Sequence, residues 1–344
     1  MDALKQLYHS EIAHNAGVDE HLARIDSILQ QADSSAALEA ALRAQEPTGS
    51  LVYKNRFFWI LLLVCLALCL PAYWLVTLLV ANTGLAWINW LGLALGAGLL
   101  FYVASFYRGS TACDAMLARA LTRQEELQYG FRYGQSQNGH SHDSILADFA
   151  HAFKRGNHSN EIPRFASGQY RHAGAGVEYT VFNYHYVNRR TETYYENGRR
   201  KQRQVFDHFD RWGLFVSGVQ PLGVAISSGP NRVFPVRWDT SSIAFNRRHH
   251  ITGVSEVELA RLFQPVNVLL IEALLSGHRE FELQFSDRLP VLYWGFNLDP
   301  FKRSLPPGKP QNFGELAALL PGLKLVQFEQ LLQTLQPLLE KMVK

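Results

Sequence analysis

The sequence predicts an α+β protein: a two-helix transmembrane hairpin followed by a mainly antiparallel cytoplasmic sheet domain with helices. Three observations carry this. Phe57 to Val80 and Leu85 to Tyr107 are neighbouring runs of 24 and 23 residues without a charged side chain. Gly176 to Val187 is rich in β-branched and aromatic residues and is matched by Gln204 to Gly218, with Asn197-Gly198 between them. Apolar residues recur at helical spacing near both ends of the chain.

The elements follow in order. Residues 1–50 read as an acidic helical arm. Val18, Leu22, Ile25, Ile28 and Leu29 mark one helix face, and Ser34-Ser35 can cap a second helix from Ala36 to Ala44. Residues 51–108 hold the apolar hairpin. At about 1.5 Å per helical residue each run reaches roughly 35 Å, enough to cross a hydrocarbon core of about 30 Å. Lys54 and Arg56 precede the first run and Arg108 follows the second, so the positive-inside rule puts both termini in the cytoplasm of a bacterial inner membrane. Asn82-Thr83-Gly84 suits the outer turn, and Pro71 should kink the first span. Gly92, Gly96 and Gly98 permit close helix approach, either within the hairpin or between chains. The apolar run starts too late and is too long for a cleaved signal.

Residues 109–160 read as juxtamembrane helices, with a polar loop from Gly134 to His142. Residues 161–300 form the cytoplasmic α+β domain. Its strands are the long hairpin plus Gly223–Ser227, Arg232–Trp238, Glu280–Phe285 and Val291–Asn297. Pro265 divides the helical stretch Glu256–Leu275, with Val266, Leu269, Leu270, Ala273 and Leu274 as the core-facing stripe. Residues 301–344 are a Pro-rich linker and an amphipathic helix. Its face, from Leu325 to Met342, can dock on the protein itself, on a partner or on a membrane.

Within this pattern, Asp207 to Val216 resembles an "F-x-G-L-F" strand, Ser242 to His249 an "F-N-x-x-F" segment, and Leu262 to Val266 an "L-x-P" helix break. These segments, in this order behind two spans, resemble bacterial two-pass membrane proteins of the domain-of-unknown-function family 3137. Trp212 and His249 depart from that pattern. Such proteins are often encoded beside LemA-type membrane proteins, so the resemblance implies a shared complex. It implies no catalytic residue.

Composition narrows the function. Net charge is +3, from 33 Lys and Arg against 30 Asp and Glu, too little to point to nucleic acid. The three cysteines, Cys65, Cys69 and Cys113, do not make a disulfide framework. There is no Walker loop, Gly-x-Ser-x-Gly elbow or His-Glu-x-x-His, so no catalytic residue, cofactor site or metal site is assigned. His140 and His142 read as a solvated loop, His249-His250 as a surface cluster. Asp207 and His208 fall on opposite strand faces. The strongest surface candidate is the hairpin tip, where Arg189, Arg190, Arg199, Arg200, Lys201 and Arg203 face only Glu192 and Glu196. Anionic lipid or an acidic protein suits it. The expected function is a non-catalytic, membrane-anchored scaffold or adaptor that contacts membrane lipids and a protein partner or a second copy. A membrane-bound enzyme acting on a lipid or small molecule, and an oligomeric channel or transporter component, are the alternatives.

Overall fold

A computed structural model describes residues 2–45, 49–80, 87–134, 142–172, 175–230 and 232–342. The turn expected at Asn82-Thr83-Gly84, the Pro47-Thr48 pair and the loop carrying His140 lie outside the described residues. The protein is α+β with a large antiparallel sheet. It divides into two compact units, residues 1–124 with 306–323, and residues 125–305 with 324–344. The arm and apolar hairpin join one unit, the 109–160 segment is split, and the tail is shared between the units.

The first unit contains α1 (Asp2–Gln31), α2 (Ser35–Arg43), α3 (Arg56–Val80), α4 (Trp87–Ala104) and most of α5 (Thr111–Tyr129), completed by a later helix, Phe313–Leu319. The periodicity of the arm appears as burial of Val18, Leu22, Ile25 and Leu29. Ser34 Oγ accepts from the Ala37 N–H at 3.1 Å and starts α2, which buries Leu38 and Leu42. The base of the α3–α4 pair is tied to α1. The buried carboxylate of Glu11 accepts from the backbone N–H groups of Arg56 (2.7 Å) and Phe57 (2.9 Å), capping α3 from 45 residues away. Asn15 exchanges two hydrogen bonds with the Lys54 backbone, and Asn55 does the same with Arg108. Tyr8, Phe57, Tyr102 and Phe106 pack ring against ring beside them.

Helices α3 and α4 lie together as a helical hairpin, and α3 continues as helix through Pro71. Among the described residues, no helix is long and apolar enough to cross a membrane. Side chains at 72, 75, 76, 79, 80, 87–89, 91 and 92 lie outside that description. The fold supplies the two helices expected between residues 51 and 108 as a packed pair.

The second unit holds the sheet. Its strands are β1 (Arg132–Tyr133), β2 (Ser159–His172), β3 (Ala175–Glu196), β4 (Arg199–Ser217), β5 (Val224–Ser227), β6 (Val236–Trp238), β7 (His250–Gly253), β8 (Phe281–Phe285) and β9 (Val291–Phe296). They are ordered β1-β2-β3-β4-β9-β8-β5-β7-β6, and every pairing is antiparallel. Asn197 (φ 52°) and Gly198 (φ 75°) both adopt the left-handed region, as a type I′ turn requires. Strands β1, β2 and β7 were not expected. Pro163 and Gly168 break the pattern of β2, whose register shifts between Glu161 and Arg164.

The helices of this unit are α6 (His142–Asp148), α7 (Ile243–Arg248), α8 (Glu256–Leu262) and α9 (Pro265–Leu275); Phe313–Leu319 of the first unit is α10, and α11 (Val326–Met342) ends the chain. Pro265 separates α8 from α9. The expected stripe on α9 is out of phase. Val268, Ile271, Leu274 and Leu275 are buried, while Val266 and Leu269 are exposed. The tail helix buries Phe328, Leu331, Leu335 and Leu338 in the main core of its own unit, so that face is not open to a partner or a membrane.

One sheet face carries the main core, with Leu214, Leu283, Phe285, Trp294 and Phe296. The other carries a smaller cluster in which Phe149 packs on Phe215 and Tyr293, and Phe182 stacks on Phe215. Gly213 and Gly295 pair across β4 and β9 and leave room for these rings. A Cβ on Gly213 would lie 2.4 Å from the Phe182 ring. Buried Glu125 ties the unit together. Arg303 reaches its carboxylate at 2.6 and 3.2 Å, Arg164 at 3.4 Å, and the Tyr133 hydroxyl donates to it.

Candidate functional site

Strand β8 sets the site. Phe281, Leu283 and Phe285 alternate into the main core, so Glu282 and Gln284 point to the opposite face. There the covering cluster ends and a cleft of about 990 Å³ opens. One wall is the segment that continues α6, with Asp148, His151 and Arg155. The other is the loop after β5, Ser228 to Phe234. Arg211 from β4 and Arg279 before β8 complete it.

The carboxylates of the cleft are held in place. Glu282 is 7% exposed. It accepts from His151 Nε2 at 2.7 Å and from Arg155 Nη2 at 2.9 Å. Burial pushes its pKa up, but the hydrogen bond and charge of His151, then the charges of Arg155 and Arg211, outweigh burial and hold it below the ordinary carboxylate value. Asp148 accepts from Ser286 Oγ at 2.5 Å and from Arg288 at 2.8 Å. Gln284 is buried, and its Oε1 has no hydrogen-bond partner. Ser227 and Ser228 donate to the backbone carbonyls of Gly229 and Phe281, so neither is set against a base as a nucleophile. The Glu282–His151 pair is the part of the cleft suited to moving a proton.

The hairpin tip expected from sequence is placed on the two-stranded end of β3–β4. Strand β2 stops pairing at Val187 and β9 starts at Trp212. Three of the six cations are spent locally. Arg190 pairs with Asp207 and Glu192, Arg203 with Glu192, and Lys201 with Glu196. The side chains of Arg189, Arg199 and Arg200 have no such partner among the described residues. Exposed Tyr195 stands beside them.

Asp207 and His208 diverge as strand alternation requires, but His208 meets a partner from β3. His185 Nδ1 lies 3.0 Å from Asp210 and its Nε2 lies 3.2 Å from His208 Nδ1, on an exposed face. Sequence reading missed His185 because it lies 25 residues from Asp210. His249, expected in a surface cluster, is half-buried. Its ring packs on Phe245 and Phe281, and burial lowers its pKa, as it does for His278. Among the described residues no group of His, Cys, Asp and Glu could hold a metal ion.

Of the small residues expected to pack the hairpin, Gly96 and Gly98 face open space, since an added Cβ would meet nothing within 4 Å. They are not where α4 approaches α3. The three cysteines are free. The segments behind the family resemblance fall on the end of β4, on α7 with its Ser242 cap, and on the α8–α9 break. No family model, curated protein or solved structure matches the chain.

Proposed function

We propose that this protein is a membrane-anchored adaptor. The α3–α4 hairpin is its anchor in a bacterial inner membrane, both chain ends face the cytoplasm, and the sheet unit contacts a protein partner without catalysis. One observation carries the anchor. Many described side chains of α3 and α4 are apolar and turned outward: Leu68 is 67% exposed, Trp74 66%, Leu95 69% and Phe101 81%. Leu63, Leu70, Trp90 and Tyr102 add to the same surface. A soluble monomer does not leave so much contiguous carbon in water. Lys54, Arg56 and Arg108 stand at one end of the pair, where the positive-inside rule puts the cytoplasmic side. The partially unpaired basic tip supports a surface for an acidic partner or for anionic lipid.

A second reading is favoured by the cleft, whose buried Glu282 and its His151 and Arg155 partners suit a small-molecule site better than a protein interface. Extraction separates the anchor from its absence. The expected result is a chain that resists alkaline carbonate and leaves membranes only with detergent. A chain released by carbonate overturns the anchor. Purification in mild detergent followed by cross-linking and mass spectrometry tests the adaptor. A stoichiometric partner or a self-oligomer is expected, and a bare monomer counts against it.

A further inference from the structure

We infer that the cleft beside β8 binds a phosphate-bearing small molecule that also donates a hydrogen bond. Of the cleft's four carboxylates, Glu282 is held by His151 and Arg155, Asp148 by Ser286 and Arg288, and Asp287 lies 3.6 Å from Arg288, while Glu280 accepts only from the neutral Asn297 amide at 2.8 Å. Its five arginines outnumber them. Among the described residues, Arg211, Arg232 and Arg279 line the same cleft without an ion pair or a side-chain hydrogen bond. Three guanidiniums around one space repel one another, and an anion placed among them relieves that repulsion. The planar guanidinium fork matches the oxygens of a phosphate group.

The second half of the specification comes from Gln284. This residue is 3% exposed and faces the cleft, and its Oε1 is bare. A buried acceptor of this kind calls for a donor. A hydroxyl or amine next to the phosphate supplies one, with the anion toward the arginines and the donor toward the floor. About 990 Å³ accommodates such a ligand. The site does not depend on the anchor, so the failure of either reading leaves the other standing.

The shared chemistry has two sources, a soluble phosphomonoester or a lipid headgroup. Thermophoresis of the detergent-solubilised full chain separates them, with glycerol 3-phosphate and dihexanoyl phosphatidylglycerol, both of which carry hydroxyls beside the phosphate, as probes and dihexanoyl phosphatidylcholine as the zwitterionic control. The double variant Arg232→Gln/Arg279→Gln removes two exposed cations, and its thermal unfolding should match the parent. The expected result is saturable binding of one or both anionic probes, weakened about tenfold or more in this variant. The same affinity is expected to survive in Arg199→Gln/Arg200→Gln at the hairpin tip. Tighter binding of glycerol 3-phosphate marks a soluble ligand; tighter binding of phosphatidylglycerol marks a headgroup. Absence of saturation by either probe overturns the inference, as does equal affinity in the parent and the cleft variant.

Discussion

Two hairpins in this protein have opposite surfaces. The α3–α4 pair presents Leu, Phe and Trp outward, while the end of β3–β4 presents Arg, Glu and Thr. The backbone explains why each suits its surface. A helix satisfies its own N–H and C=O groups, so its exterior can be carbon throughout. Beyond Val187 and before Trp212 the β-ribbon has only two strands, so its outer edges keep unpaired backbone groups that need water. Cross-strand ion pairs such as Glu192–Arg203, directly opposite in register, support that otherwise marginal ribbon. Shape alone does not say what surrounds a hairpin; the way its backbone is satisfied, read with its side chains, does.

The comparison breaks most readily at the helical pair. Placing arginine at Leu68 and Leu95 costs about 3 kcal/mol each if both positions lie in hydrocarbon. The double variant is expected to leave the membrane fraction on centrifugation, and normal retention would remove the contrast. A smaller loss tests the root from which the ribbon grows. Arg303→Met leaves buried Glu125 without its closest cation, and the sheet unit should lose about 3 kcal/mol in denaturant unfolding. Unchanged stability would show that Glu125 is not what ties that unit.

Glu282 gives a pH signature. Its folded pKa lies below the ordinary 4.5, so the folded state holds its proton less tightly than the unfolded chain. The stability it contributes is full above about pH 4.5 and disappears as pH falls through the lowered value. Melting temperatures of the parent should therefore drop more steeply than those of Glu282→Gln over that acid range; parallel curves would refute the clamp. Glu11→Ala removes the acceptor for two N–H groups at the start of α3 and should cost about 1 kcal/mol, read as a lower melting temperature of the first unit. The smallest effect is expected at the ribbon end. Arg199→Gln/Arg200→Gln should change stability by less than about 0.5 kcal/mol. It should weaken binding to anionic vesicles at low salt, by about 1 kcal/mol per arginine where the tip meets lipid.

Local signals made much of the fold legible. Asn197-Gly198 announced the ribbon turn, Pro265 the division between α8 and α9, and the spacing of Val18 to Leu29 the buried face of α1. Where local signals conflict, they failed. Strand β2 carries Pro163 and Gly168, which lower its strand character, and pairing with its sheet neighbours, chiefly β3, makes it a strand. Helix α9 is apolar nearly all round, so periodicity could not choose between the Leu269 and Ile271 faces. The cleft was not legible at all. Its members come from residues 148–155, 211, 227–234 and 279–288, and no spacing within any one segment carries the chemistry. The His185–Asp210–His208 contact has the same origin, since strand alternation predicted which residues diverge but not which strand would meet them.

The Glu11 carboxylate that closes the amino end of α3 imposes an order on biosynthesis. A ribosome releases Glu11 well before Arg56 and Phe57, so the first helix must wait, its acidic group in water, until the apolar segment has begun to coil. The amino-terminal arm is thus a late-closing latch, fastened only after the piece behind it has found its place.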